Sequence, residues 1–97
     1  MKEELKRYLD SLEGVTWFMV PGSASGTLGA PDMILCVDGR FVGVEVKTPT
    51  GKLTGFQITR KIQIEMSGGV DLVVRSTDQL CEQIEELRSK WAREEEQ

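Results

Sequence analysis

Ninety-seven residues, 39% of them hydrophobic and 29% charged, suffice for one thin core and exclude a second domain, a fibre or a disordered polymer. The chain contains no histidine, which removes Ser-His-Asp and Cys-His catalysis, histidine-based zinc sites and imidazole acid-base chemistry. A formal charge of −4 argues against binding nucleic acid through bulk positive charge, yet residues 40–61 carry Arg40, Lys47, Lys52, Arg60 and Lys61 against Glu45 alone.

The segment from Lys2 to about Glu13 sets Leu5, Tyr8, Leu9 and Leu12 at helical spacing, with Gly14 to stop it. No run reaches the roughly 20 apolar residues of a membrane span, and the charged opening lacks the apolar stretch of a secretory signal, so a cytoplasmic protein without membrane attachment is expected. Val15 to Val20, β-branched and aromatic, predicts a strand ended by Pro21-Gly22. The glycine- and serine-rich SASGTLGAP that follows reads as a loop. It lacks G-K-[ST], so no nucleotide cofactor is expected.

Residues 32–38, DMILCVD, form an apolar run suited to a strand buried on both faces. Asp38-Gly39 is a two-residue hairpin signal, so Arg40 to Lys47 should return antiparallel. On that return strand Val42, Val44 and Val46 point one way and Phe41, Gly43, Glu45 and Lys47 the other. A helix of about 13 residues should open near Thr54 and end at Gly68-Gly69. Val70 to Arg75 then predicts a strand parallel to an earlier one. The last helix, from about Thr77, uses Leu80, Ile84, Leu87 and Trp91 before fraying into the acidic EEEQ. Cys36 and Cys81 lack zinc or disulfide spacing and read as reduced structural residues. The order α-β-β-β-α-β-α implies an α/β fold, a mixed sheet flanked by helices, with residues 1–97 as a single domain.

Chemistry concentrates at one end of the predicted hairpin. A turn at Asp38-Gly39 opposes position i to position 77 − i, which sets Asp32 across from Glu45, and Lys47 lies two residues on, on the same face. Two carboxylates so close repel unless a cation or a proton joins them. Hard oxygen donors without histidine or clustered cysteine suit Mg²⁺ or Mn²⁺. Lys47 beside such an ion could act as general base or, charged, stabilise developing negative charge. Taken singly each residue has a plainer reading: Asp32 as a turn cap, Glu45 and Lys47 as a solvated ion pair, Gln57 as a first-turn helix residue, and Trp17 and Trp91 as core or interface.

In order along the chain stand Glu4, then Gly29-Ala30-Pro31-Asp32, Glu45-Val46-Lys47, Gly51-Lys52-Leu53-Thr54, Gln57 and Gly68-Gly69. Pro31-Asp32, twelve residues and Glu45-Val46-Lys47 resemble the PD-(D/E)xK nuclease signature, and the whole series resembles the VRR-NUC family, the virus-type replication-repair nucleases. The resemblance spans residues 4 to about 75. It implies a restriction-endonuclease-like core, with Asp32, Glu45 and the backbone carbonyl of Val46 as metal ligands. Lys47 would be the catalytic lysine, Gln57 would lie near the lysine and the water, and Glu4 (or Glu3) would approach the metal from the first helix, through water. It also implies phosphodiester hydrolysis by metal-activated water. Stand-alone viral and phage-like members resemble structure-selective junction cleavers acting as dimers, so branched DNA and a homodimer are expected here. Lys52, Arg60, Lys61, Ser23 and Ser25 are the candidate DNA contacts. The competing readings are a catalytically silent DNA-binding module of the same fold and an acidic adaptor domain that binds protein.

Overall fold

The computed structural model describes residues 2–21 and 28–96; Ser23 and Ser25 lie outside the described residues. The elements follow the expected order: α1 (Lys2–Asp10), β1 (Val15–Met19), β2 (Met33–Val37), β3 (Arg40–Val46), α2 (Gly55–Met66), β4 (Val70–Val74) and α3 (Thr77–Glu95). The four strands form one sheet in the order β1-β2-β3-β4. β1, β2 and β3 run antiparallel, and β4, returning after α2, pairs parallel to β3. The sheet is therefore mixed and flanked by helices.

The β2–β3 register follows from the turn. Asp38 (φ 52°) and Gly39 (φ 83°) both adopt positive φ, the geometry of a two-residue turn whose twist matches the strands it joins. Such a turn permits one pairing, and Val37 meets Arg40, Leu35 meets Val42 and Met33 meets Val44. The 77 − i relation holds throughout the ladder. Arg88 fixes the turn from outside through an ion pair with Asp38 at 3.0 Å and a hydrogen bond to the Glu13 carbonyl.

One sheet face carries the core. Met33, Leu35, Val37, Val42, Val44 and Val74 pack there against Leu5 and Leu9 of α1 and Leu80, Ile84 and Trp91 of α3. Helix α2 lies over the opposite face, where Gln57 reaches Glu45 and Lys61 reaches the Asp71 carbonyl.

Two expectations need correction. β2 is buried on one face only: Ile34 is half-buried and Cys36 exposed, because α2 covers the β3–β4 side and leaves the β1–β2 side open. Cys36 is accordingly not a core residue. α3 also continues into the acidic tail as far as Glu95. Arg40 stacks over Trp91, 4.6 Å from its ring centroid, and meets Glu94 and Glu95 at 3.9 and 3.8 Å. A cation thus sits beside the last turn's acidic side chains and offsets their repulsion.

Candidate active site

Asp32 precedes the β2 ladder, and its carboxylate Oδ2 accepts the backbone N–H of Val46 at 2.8 Å, while its own carbonyl accepts from Val20 N–H at 3.0 Å. Both contacts hold the Pro31-Asp32 corner between β1 and β3. The acid is thereby turned onto the strand that bears Glu45 and Lys47. Extending the observed register by one step opposes Asp32 to Glu45, and the Asp32 carboxyl lies near enough to act on Glu45 electrostatically.

Glu45 is only 1% exposed. Burial pushes its carboxyl up to about 7 from an ordinary 4.5; the negative charges of Asp32 and then Asp71 add to the rise, while Lys47 and an Asp32 backbone hydrogen bond oppose it. Desolvation leads because a carboxylate deprived of water has lost its principal stabiliser. Lys47 is half-buried on the same face, and its backbone N–H donates to Val74 carbonyl at 2.9 Å. The parallel strand therefore carries on to the lysine and fixes where its side chain leaves the sheet.

Gln57 does two things at once. Thr54 caps α2 by accepting Gln57 N–H at 3.1 Å, and Gln57 Oε1 accepts Thr54 N–H in return at 2.9 Å, a reciprocal capping box. Gln57 Nε2 meanwhile donates toward Glu45 Oε1 at 3.5 Å, a long contact at the limit of a hydrogen bond. The plain first-turn reading and the site reading both hold, since the same amide serves the helix and faces the acid.

Glu4 is exposed on α1 and accepts from the Thr77 hydroxyl at 3.3 Å. Among the basic candidates, Arg60 donates to the Leu28 carbonyl at 3.2 Å and to Gln63 at 3.1 Å. Lys61 bridges the Asp71 carbonyl and Glu65. Lys52 stands exposed in the turn after Lys47.

Two residues that sequence reasoning passed over shape the site. Asp71 is 4% exposed, its Oδ1 is buried without a hydrogen-bond partner, and burial raises its pKa against the opposing charge of Lys61. It hangs over Gly43, where a Cβ would come within 2.6 Å of Asp71 Oδ1 and 2.7 Å of Pro31 Cγ. Gly43 is thus the notch that lets Pro31 and Asp71 close over β3. The signal was a lone aspartate within the apolar VDLVV. Arg75, the second, donates to the carbonyls of Thr48 and Gly51 at 2.6 and 2.7 Å and so clamps the turn that follows Lys47. No sequence pattern marks it, because its partners are main-chain atoms remote along the chain.

Among the described residues no three acidic or cysteine side chains converge as a self-sufficient metal cage. The donors at the site are two carboxylates, one of them buried and starved of compensating charge, together with main-chain oxygen. That set fits a hard ion that keeps several waters.

Neither a family model nor a curated protein sequence matches the chain. Among solved structures it is similar to one described as a VRR_NUC domain, with a TM-score of 0.72 and 26% identity over 87% of this chain and 89% of that chain.

Proposed function

We propose that this chain, which has the fold of a VRR_NUC domain, is a Mg²⁺- or Mn²⁺-dependent endodeoxyribonuclease whose site is Asp32, Glu45 and Lys47, assisted by Gln57. The observation that supports it best is the buried Glu45 facing Asp32 across the hairpin, with Lys47 two residues on. A purely structural strand has no use for a desolvated acid beside a second acid.

Asp32, Glu45 and the Val46 carbonyl would hold the ion. When bound, it supplies an activated water and a positive centre for the scissile phosphate. The residues' own tasks follow from where they stand. Asp32, braced on Val46 N–H, keeps its carboxyl aimed at β3. Glu45, its carboxyl pushed up to about 7, is only partly ionised at neutral pH, and a cation would favour the ionised form, so metal and protons compete for it. Lys47 neutralises charge developing on the phosphate or takes up the proton of the attacking water. Gln57 orients Glu45 through its amide. Glu4, whose Oε2 accepts from the Thr77 hydroxyl at 3.3 Å, keeps its other carboxylate oxygen for an approach to the ion through water. Lys52 is the proposed phosphate contact, whereas Arg60 and Lys61 serve internal carbonyls. The substrate is DNA, with branched or four-way junctions preferred, and the acting species is a homodimer that sets one site against each strand.

The test is cleavage of linear, flapped and four-way-junction DNA with and without Mn²⁺. Wild type should nick or cut only with metal, and Asp32→Ala and Lys47→Ala should each lower the rate by about 10²–10⁴ while keeping the wild-type circular dichroism spectrum. Salt-sensitive DNA binding without cleavage under any divalent ion would favour the silent binding module, and absence of both would favour the adaptor.

A further inference from the structure

Between the side of α2 that meets Glu45 and the side turned outward runs a third stripe. Phe56, Arg60, Gln63 and Ser67 recur at i, i+4, i+7 and i+11 and so share one helical face. Across from them stands Phe41 of β3, against Gly69, and Leu28 closes the end nearest Phe56. Two adjoining cavities of about 430 and 420 Å³ follow the stripe and share Arg60 and Gln63. Together they make a groove that begins beside the candidate active site.

The walls of this groove are flat. Phe56 and Phe41 are 61% and 41% exposed, and the Arg60 guanidinium lies along the groove with them. It donates from Nε to the Leu28 carbonyl at 3.2 Å and from Nη1 to Gln63 at 3.1 Å. Both bonds use donors in the plane of the fork, so the plane is pinned while the side chain stays exposed. Arg60 therefore offers a face, its donors being engaged within the chain. Aromatic rings and guanidinium planes are the surfaces on which unpaired bases stack.

Charge and position agree with that occupant. The chain holds 16 acids to 12 bases, yet among the described residues no acidic side chain lines either cavity, and the one charge there is the cation of Arg60. Such a lining suits a polyanion. The groove is also continuous with the site, because Phe56 adjoins Gln57, whose amide faces Glu45. From Phe56 to Ser67 the helix rises roughly 17 Å, the length of a few nucleotides.

We infer that this groove holds an unpaired DNA strand next to the scissile phosphate, its bases stacked on Phe56, Arg60 and Phe41. The inference deepens the nuclease reading and rests on it for the identity of the strand. The substrate is then a duplex that opens into a single strand at the cut, since an intact duplex would have to unstack before its bases could lie there.

Fluorescence anisotropy on the full chain decides the matter, with a labelled oligothymidylate of about 12 nucleotides and a blunt duplex of the same length, both in EDTA so that neither is cut. Wild type should bind the single strand more tightly than the duplex. Phe41→Ala and Phe56→Ala should each weaken single-strand binding about tenfold, with duplex binding and circular dichroism unchanged. Phe56→Trp should bind at least as well as wild type, whereas Phe56→Leu, which keeps apolar bulk without a ring, should behave as Phe56→Ala. Ile62→Ala, on the outward side of α2, should change nothing. Equal affinity for the two DNAs, or single-strand binding that both alanine variants leave intact, overturns the inference. So does a Phe56→Leu variant that binds as wild type, which would give the groove to an apolar peptide. None of these outcomes reads cleavage. A protein that cuts linear duplex with Mn²⁺ but ignores the oligomer loses the groove and keeps the nuclease reading. One that holds the oligomer through Phe41 and Phe56 yet cuts nothing under any divalent ion keeps the groove and loses that reading.

Discussion

Glu45 and Asp71 are the two buried acids among the described residues, and both have pKa values raised by burial. A group whose folded pKa exceeds its unfolded value contributes stability that is complete below the unfolded value and is lost as pH rises through the folded one. For Glu45 the window runs from 4.5 to about 7, on the order of 3 kcal/mol at most. Metal-free protein should therefore lose stability between pH 4.5 and 7.5 in urea melts, and Asp71 acts in the same direction. Added Mn²⁺ should restore stability at the alkaline end, because it favours the ionised form. Glu45→Gln should remove both effects: the metal-free variant gains Tm at pH 7.5, and Mn²⁺ no longer raises it. A variant whose Tm still rises with Mn²⁺ as in wild type would place the ion elsewhere. Asp71→Asn should raise Tm at pH 7.5 without removing the response to metal.

At the scale of elements, Gln57 permits a separation of its two tasks. Glutamate at the third helical position preserves a capping box, but beside Glu45 it adds a third negative charge. Gln57→Glu should keep the capping box yet, by like-charge repulsion with Glu45, 3.5 Å from the Gln57 amide, shift the pH profile of cleavage to the alkaline side, as measured by rates across about pH 5.5–9. A residue that only caps would leave the profile alone. Gly43→Ala tests the notch. Its Cβ would press on Asp71 Oδ1 and Pro31 at 2.6 and 2.7 Å, so urea denaturation should show a loss of about 1–3 kcal/mol.

The elements themselves were legible because their signals are local. Asp38-Gly39 fixed a register, alternation in β3 sorted valines from Glu45 and Lys47, and Thr54 with Gln57 marked the start of α2. The depth of β2 was not legible, since an apolar run reads alike whether one or two layers cover it. Whether anything covers Cys36 depends on where α2 lands, a tertiary matter. Asp32, Glu45 and Lys47 could be set together by counting from a turn, but Asp71 and Arg75 act through contacts with distant partners, Gly43 and Pro31 for the one and the Thr48 and Gly51 carbonyls for the other. Counting along one hairpin does not reach them.

At the scale of the whole molecule, the two sheet faces divide the labour. One face, with α1 and α3, holds the buried apolar side chains; the other, with α2, holds the acids and leaves its apolar groups in water. Stability and chemistry are thus segregated by the pleat of a single sheet. Arg60 joins α2 to the Leu28 carbonyl, and Gly29, at φ 78°, lies so close to the Phe56 carbonyl that a Cβ there would collide with it. The segment leading into Pro31-Asp32 is therefore fastened to the helix whose outer face is bare.

The Asp38-Gly39 turn lies six residues from Asp32, roughly 20 Å along the strand, far from the Asp32–Glu45 pair. It nonetheless acts as the ruler by which one acid is measured against the other. A residue inserted there would slide β3 by one place and send Glu45 and Lys47 to the apolar side. A lesion at the far tip of the hairpin should therefore undo the proposed site as thoroughly as the loss of Asp32 itself.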